Sequence, residues 1–147
     1  MSKLELINVR KQYGAVPVVE DLSLQLRKGE LVTLLGPSGC GKTTTLRMIA
    51  GFIELSAGSI AIDGKQISGA GRTVPPEHRG MSMIFQSYAI WPNMTVAENV
   101  GFGLNVRRVA ADERRRRVAQ ILDVVKLGAL AQRYPAELSG GQQQRVA

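Results

Sequence analysis

The chain has 147 residues, 44% hydrophobic and 21% charged, a composition that excludes disorder and suits one domain with a sizeable core. Its formal net charge is +7, and Arg107, Arg108, Arg114, Arg115, Arg116 and Arg117 supply six of the 19 cationic residues without the interleaved aromatics of single-strand-binding surfaces. That stretch reads as a solvated helix face, and no nucleic-acid partner is expected. No run approaches the roughly 18 apolar residues of a membrane span, the first six residues hold no signal-peptide core, and Cys40 alone forms no intrachain disulfide, so a cytosolic location is expected.

Leu4, Leu6 and Val9 alternate with polar residues and predict a first strand. Leu22, Leu24 and Leu26 predict a second, over about residues 19–27. Residues 31–35, Leu-Val-Thr-Leu-Leu, are a continuous apolar run of the kind buried on both faces of a central strand. A helix is expected from Thr43, with Leu46, Ile49 and Ala50 on its buried face and Gly51 as its stop. Residues 59–62 followed by Asp63-Gly64 predict half of a hairpin. Residues 68–80, rich in Gly and Pro, read as loop, and residues 81–85 as a second buried strand. After Pro92 the period becomes helical. Thr95 and Glu98 form the pattern of a capping box, Asp112 is placed to cap the next helix, and Val118, Ile121, Leu122 and Val125 follow helical spacing up to Gly128.

Residues 36–43, Gly-Pro-Ser-Gly-Cys-Gly-Lys-Thr, match G-x-x-x-x-G-K-[ST] between a predicted strand and a predicted helix. The pattern has a physical logic. Gly36, Gly39 and Gly41 allow the backbone to curl so that successive N–H groups face phosphate oxygens. Ser38 and Cys40 complete the loop, and the helix that follows adds its positive dipole end. Lys42 is placed to reach the outer phosphates of a nucleotide. The hydroxyl of Thr43 is the candidate Mg²⁺ ligand, with Thr44 second.

Leu138-Ser139-Gly140-Gly141-Gln142 opens another helix. Ser139 and Gln142 form a capping box, and Gly140 and Gly141 leave the first N–H groups uncovered. With Gln143-Gln144-Arg145-Val146-Ala147 this string resembles the signature of the ABC transporter ATP-binding subunits, and the phosphate loop upstream with Gln86 between completes the order. The resemblance covers essentially the whole chain. It implies an α/β fold: a P-loop NTPase (RecA-like) core with an N-terminal antiparallel β part and an inserted α-helical subdomain, incomplete at the C-terminus. The implied layout is residues 1–92 as phosphate-loop core, 93–137 as helical subdomain and 138–147 as signature.

The resemblance also assigns roles. Tyr13 is the aromatic that stacks on adenine. Lys42 and Gln86 are the catalytic positions, Gln86 also touching Mg²⁺ and sensing the membrane partner. Ser139, Gly140, Gly141 and Gln142 cap the γ-phosphate of ATP held by a second copy, giving a head-to-tail dimer. The segment Tyr88-Ala89-Ile90-Trp91-Pro92 is expected beside transmembrane permease subunits, at the cytoplasmic face of the membrane, with an extracytoplasmic solute-binding protein as an indirect partner. Phe85-Gln86-Ser87-Tyr88-Ala89 and the stretch from Met94 resemble importer ATPases for sugars, polyamines, ferric iron and phosphonates. ABC ATPases that act on DNA or ribosomes are the alternative, and their long insertions near Gln86 are not seen here. The family's apolar strand ending in Asp, its following Glu and its later His would lie beyond Ala147. Asp63 and His78 precede the signature and read as structural. A truncated chain that binds ATP without turning it over is therefore the expectation.

Overall fold

The computed structural model describes residues 2–69 and 71–147, the side chains of Ser2 and Lys3 excepted. Five strands form one antiparallel sheet: β1 (Ser2–Tyr13), β2 (Val16–Arg27), β3 (Ala57–Ile62), β4 (Lys65–Gly69) and β5 (Arg72–Thr73), in the order β2-β1-β3-β4-β5. Four α-helices accompany them: α1 (Lys42–Ala50), α2 (Val96–Val106), α3 (Ala111–Val124) and α4 (Gly140–Val146). The chain divides into two compact units, residues 1–83 and 84–147, each with its own core.

In the first unit, alternation aims Leu4 and Leu6 of β1 at one face and a bulge between Leu6 and Val9 brings Val9 to the same face, where Leu6 and Val9 pack with Val19, Met48, Ile60 and Ile67. Asp63 and Gly64 both adopt positive φ, 49° and 78°, and close the β3–β4 hairpin in two residues, as the Asp-Gly pair predicts. The β1–β2 ladder bulges near Asn8, whose φ is 47°. Ser23 stitches that bulge, its Oγ accepting from Asn8 N at 3.0 Å and donating to Asn8 Oδ1 at 3.1 Å. β2 begins at Val16, three residues before the predicted start. The stretch read as loop over residues 68–80 holds the end of β4, the short β5 and a 3-10 turn at Pro76–His78.

Helix α1 starts one residue before the prediction and stops at Gly51, whose φ is 89°. Its buried face differs in part. Thr45, Met48 and Ala50 are buried, Ile49 packs on the core, and Leu46 lies half-exposed.

Two expected strands are not formed. Residues 31–35 are irregular, with Leu31 94% and Leu35 96% exposed, and residues 81–85 are irregular too, with Ile84 77% exposed. A strand buried on both faces exists only when neighbours pair with its backbone and other elements cover it. Among the described residues neither run has a pairing strand, so the apolar pattern does not become secondary structure. The sheet is accordingly antiparallel throughout, without the parallel strands of a RecA-like core.

In the second unit, Val96, Val118, Leu122, Leu127 and Leu138 form the core. The Thr95 box opens α2: its Oγ1 accepts from Glu98 N at 3.2 Å, and Glu98 Oε2 accepts from Thr95 N at 2.7 Å. Asp112 does not cap α3. The helix begins earlier, with Ala110 at the cap, and the Asp112 carboxylate pairs with Arg115 one turn on. α3 also ends before Gly128. Val125 is its last capping residue, and Lys126 takes the left-handed conformation at φ 56° that the glycine was expected to supply. Ile121, placed on the buried face by its spacing, is half-exposed.

Candidate functional site

The phosphate-loop motif lies between β2 and α1. Gly41 is its structural hinge, with φ 87°. A Cβ there would fall 2.6 Å from Val18 O and 2.9 Å from Val19 Cγ2, so only glycine lets the loop lie against β2. At Gly36 a Cβ would fall 2.7 Å from Cys40 Sγ, so the two sides of the loop are in close contact. The first helical bond runs from Thr45 N to Gly41 O at 2.8 Å. The amides of Lys42, Thr43 and Thr44 precede it, and no side chain caps them. The result is a helix start with bare donors at the end of a glycine loop, an arrangement that suits an anion.

Lys42 folds back over this loop. Its ammonium donates to Gly36 O and Pro37 O, both at 2.7 Å, and lies 3.4 Å from Cys40 Sγ. The positive charge is thus held at the loop, on a half-buried side chain. Cys40 is free and exposed. Ser38 and Gly39 are exposed as well.

Tyr13 ends β1 and pairs with Val16 across the turn at Gly14 and Ala15. Its ring is 51% exposed, and the Lys11 ammonium lies 5.0 Å from the ring centroid. Val16 leads along β2 to Val18 and Val19, the residues that Gly41 abuts. One strand therefore carries both the tyrosine's partner and the floor of the phosphate loop.

Sequence reasoning missed Arg79. This side chain is only 6% exposed. Its guanidinium donates to Val74 O at 2.7 Å, Met48 O at 3.0 Å, Ile49 O at 2.7 Å and Ser68 Oγ at 2.7 Å, with a longer bond of 3.4 Å to Ile67 O. Burial pushes its pKa down from the ordinary arginine value, although a guanidinium stays cationic at neutral pH. Its charge sits on the C-terminal carbonyls of α1, the end opposite the uncapped start. Gly51 makes room for it, since a Cβ there would fall 2.4 Å from Arg79 Nε. The signal in the sequence was faint: one of two arginines in a Gly- and Pro-rich stretch.

The remaining expected positions belong to the second unit. Gln86 is exposed at the start of a tight turn, in which Tyr88 and Ala89 both have positive φ, 64° and 52°. Trp91 stacks at a tilt on Phe102 with centroids 4.2 Å apart. Asn99, also missed, pins this segment to α2. Its amide nitrogen donates to Trp91 O, Met94 O and Thr95 O, and its Oδ1 accepts from Trp91 N at 2.8 Å. The Ser139 box opens α4: Gln142 N donates to Ser139 Oγ at 3.3 Å, and Ser139 N to Gln142 Oε1 at 2.8 Å. The box leaves the Gly140 and Gly141 amides at the open end of the first turn. Tyr88 lies alongside, its hydroxyl 3.7 Å from where a Cβ on Gly140 would stand.

Residues 19–147, holding the phosphate loop, Gln86 and the Ser139 box, match the family model described as ABC transporter. The chain belongs to this family. Among its ABC relatives, a spermidine/putrescine import ATP-binding protein from Thermobifida fusca is 53% identical over 98% of this chain and 38% of its own length. An sn-glycerol-3-phosphate import ATP-binding protein from Rhizobium johnstonii is 46% identical over all of this chain and 39% of its own length. An alpha-glucoside transport ATP-binding protein from Rhizobium meliloti is 47% identical, again over all of this chain and 40% of its own length. The chain thus spans about two fifths of the curated ABC proteins it matches. No helix among the described residues is long and apolar enough to cross a membrane.

Proposed function

We propose that this chain carries the ATP-binding region of an ABC importer's ATPase subunit. The observation that carries the reading is the uncapped start of α1, reached through a glycine that packs on β2 and overlaid by the Lys42 ammonium. Bare amides and a cation held beside them bind a triphosphate by electrostatics and positioning, which is how phosphoryl-transfer sites of this kind act. Tyr13 offers its exposed ring to the base. The relatives' names place ATP binding beside import of chemically different solutes, so the nucleotide site is the shared part and the cargo is chosen elsewhere.

The residues also fit Mg²⁺ in one specific way. Among the described residues no cluster of three or more His, Cys, Asp or Glu could hold a metal unaided. The Thr43 hydroxyl, on the first turn of α1, supplies one neutral oxygen, which suits an ion bound chiefly through nucleotide phosphates and water. Gln86 is the second proposed ligand and the group that orients attacking water in the whole protein.

For that whole protein we read an α/β P-loop core with the helical unit inserted, residues 1–92 and 93–137 being the two parts and 138–147 the signature. Its partners are a second copy, whose Gly140 and Gly141 amides face the γ-phosphate, and membrane permease subunits that meet the Tyr88-to-Trp91 segment. A solute-binding protein acts through those permeases, and the complex works at the cytoplasmic face. The test is equilibrium binding of ATP to the chain with and without Mg²⁺. Magnesium-dependent affinity that falls on Lys42→Ala supports the reading, and affinity indifferent to Lys42 overturns it.

A further inference from the structure

We propose that Lys11 is a positioning residue for the nucleobase: its ammonium covers one face of the Tyr13 ring and leaves the other face for adenine. The proposal rests on the reading of Tyr13 as the base platform and adds a residue to it. Strand alternation puts positions 11 and 13 of β1 on the same side. The Lys11 ammonium lies 5.0 Å from the Tyr13 centroid, within the range of a cation–π contact. Among the described residues no salt bridge engages Lys11, so the ring is its specific partner.

The nearest carboxylates do not draw the ammonium away. Asp21 and Glu20 line the same 230 Å³ recess as Lys11, but Asp21 is taken by Arg10 in a two-pronged pair at 2.7 and 2.8 Å, and among the described residues Glu20 forms no salt bridge with Lys11. A tyrosine ring half exposed at a hairpin end would otherwise sample several rotamers, and holding it in one removes an ordering cost that a stacking ligand would meet. A single ammonium can sit on only one face. The opposite face stays available, and it belongs to the hairpin whose second strand floors the phosphate loop.

The experiment compares two ligands that differ in the base. The full chain is titrated calorimetrically with Mg-ATP and with inorganic tripolyphosphate, as wild type and as Lys11→Met, Lys11→Arg and Tyr13→Ala. Lys11→Met is expected to weaken ATP roughly three- to tenfold and to leave tripolyphosphate unchanged. Lys11→Arg is expected to retain ATP affinity, because a guanidinium also stacks on aromatic faces. Equal loss for both ligands would mean that Lys11 merely attracts phosphate, and unchanged ATP affinity would mean that it does nothing for the base; either overturns the proposal. Tyr13→Ala separates the two layers. If it removes the advantage of ATP over tripolyphosphate while Lys11→Met keeps it, only the role of Lys11 falls. If Tyr13→Ala also keeps that advantage, the base platform is elsewhere and the reading of Tyr13 falls too.

Discussion

Helices α1 and α2 begin in opposite ways. Thr95 and Glu98 close the start of α2 with two reciprocal bonds, satisfying amides that would otherwise need water. The start of α1 has no such closure, and a glycine with positive φ stands where the capping side chain would be. At its far end α1 is tied down harder, by a buried arginine with bonds to two of its carbonyls. A helix used for its own stability is sealed at the front. The helix proposed to hold an anion is left open at the front and secured from behind.

The largest expected effect tests the securing end. Arg79→Met takes the guanidinium donor from the part-buried Val74 and Ile49 carbonyls and from the Ser68 hydroxyl, and should cost roughly 3 kcal/mol in urea denaturation. The open end comes next. Lys42→Ala should weaken ATP by about one to two orders of magnitude, the scale of a charge-assisted contact, with the urea midpoint nearly unchanged because the carbonyls it releases, Gly36 O and Pro37 O, belong to exposed residues that water can reach. The two substitutions therefore separate anchoring from binding. A Lys42→Ala chain that lost stability but kept its ATP affinity would reverse the assignment.

The sealed helix gives a smaller figure. Thr95→Ala should destabilise by about 1 kcal/mol, read from denaturation, and leave ATP affinity untouched. A matching loss of affinity would mean that α2 is part of the anion site. The smallest effect is electrostatic. Arg117 foremost, then Arg116, hold the Glu113 carboxyl below its ordinary value of 4.5. A depressed carboxylate contributes stability that is present above its unfolded pKa and lost as pH falls through the folded one. Acidification below that ordinary value should thus lower the melting temperature slightly more in wild type than in Glu113→Gln, and only slightly, because the pair is on the surface and screened.

The same contrast explains what the sequence made legible. Local devices were readable because their chemistry is complete within a few residues. The boxes at Thr95 and Ser139, the Asp63-Gly64 turn and the Gly51 stop all stand where the residues imply. The glycine turn into α1 was readable for the same reason, Gly41 standing at the helix start. Residues 31–35 and 81–85 were not, because an apolar run declares a need for burial without naming what will pair with it. Asp112 misled because α3 could begin two residues earlier and use it in an ion pair. Arg79 was invisible, since its partners at Met48, Ile49 and Ser68 are distant in sequence and only the folded chain gathers them.

The abutment of Gly41 on Val18 has a consequence for which molecules can fit. It fixes the distance from the phosphate loop to the hairpin end in the covalent length of two or three strand residues, between Val16, which faces Tyr13, and the Val18–Val19 step. On the proposed reading of Tyr13 and the loop, the hairpin is a gauge: a ligand would have to span ring and amides at once, and a triphosphate without a base or a base without phosphates would touch only one jaw.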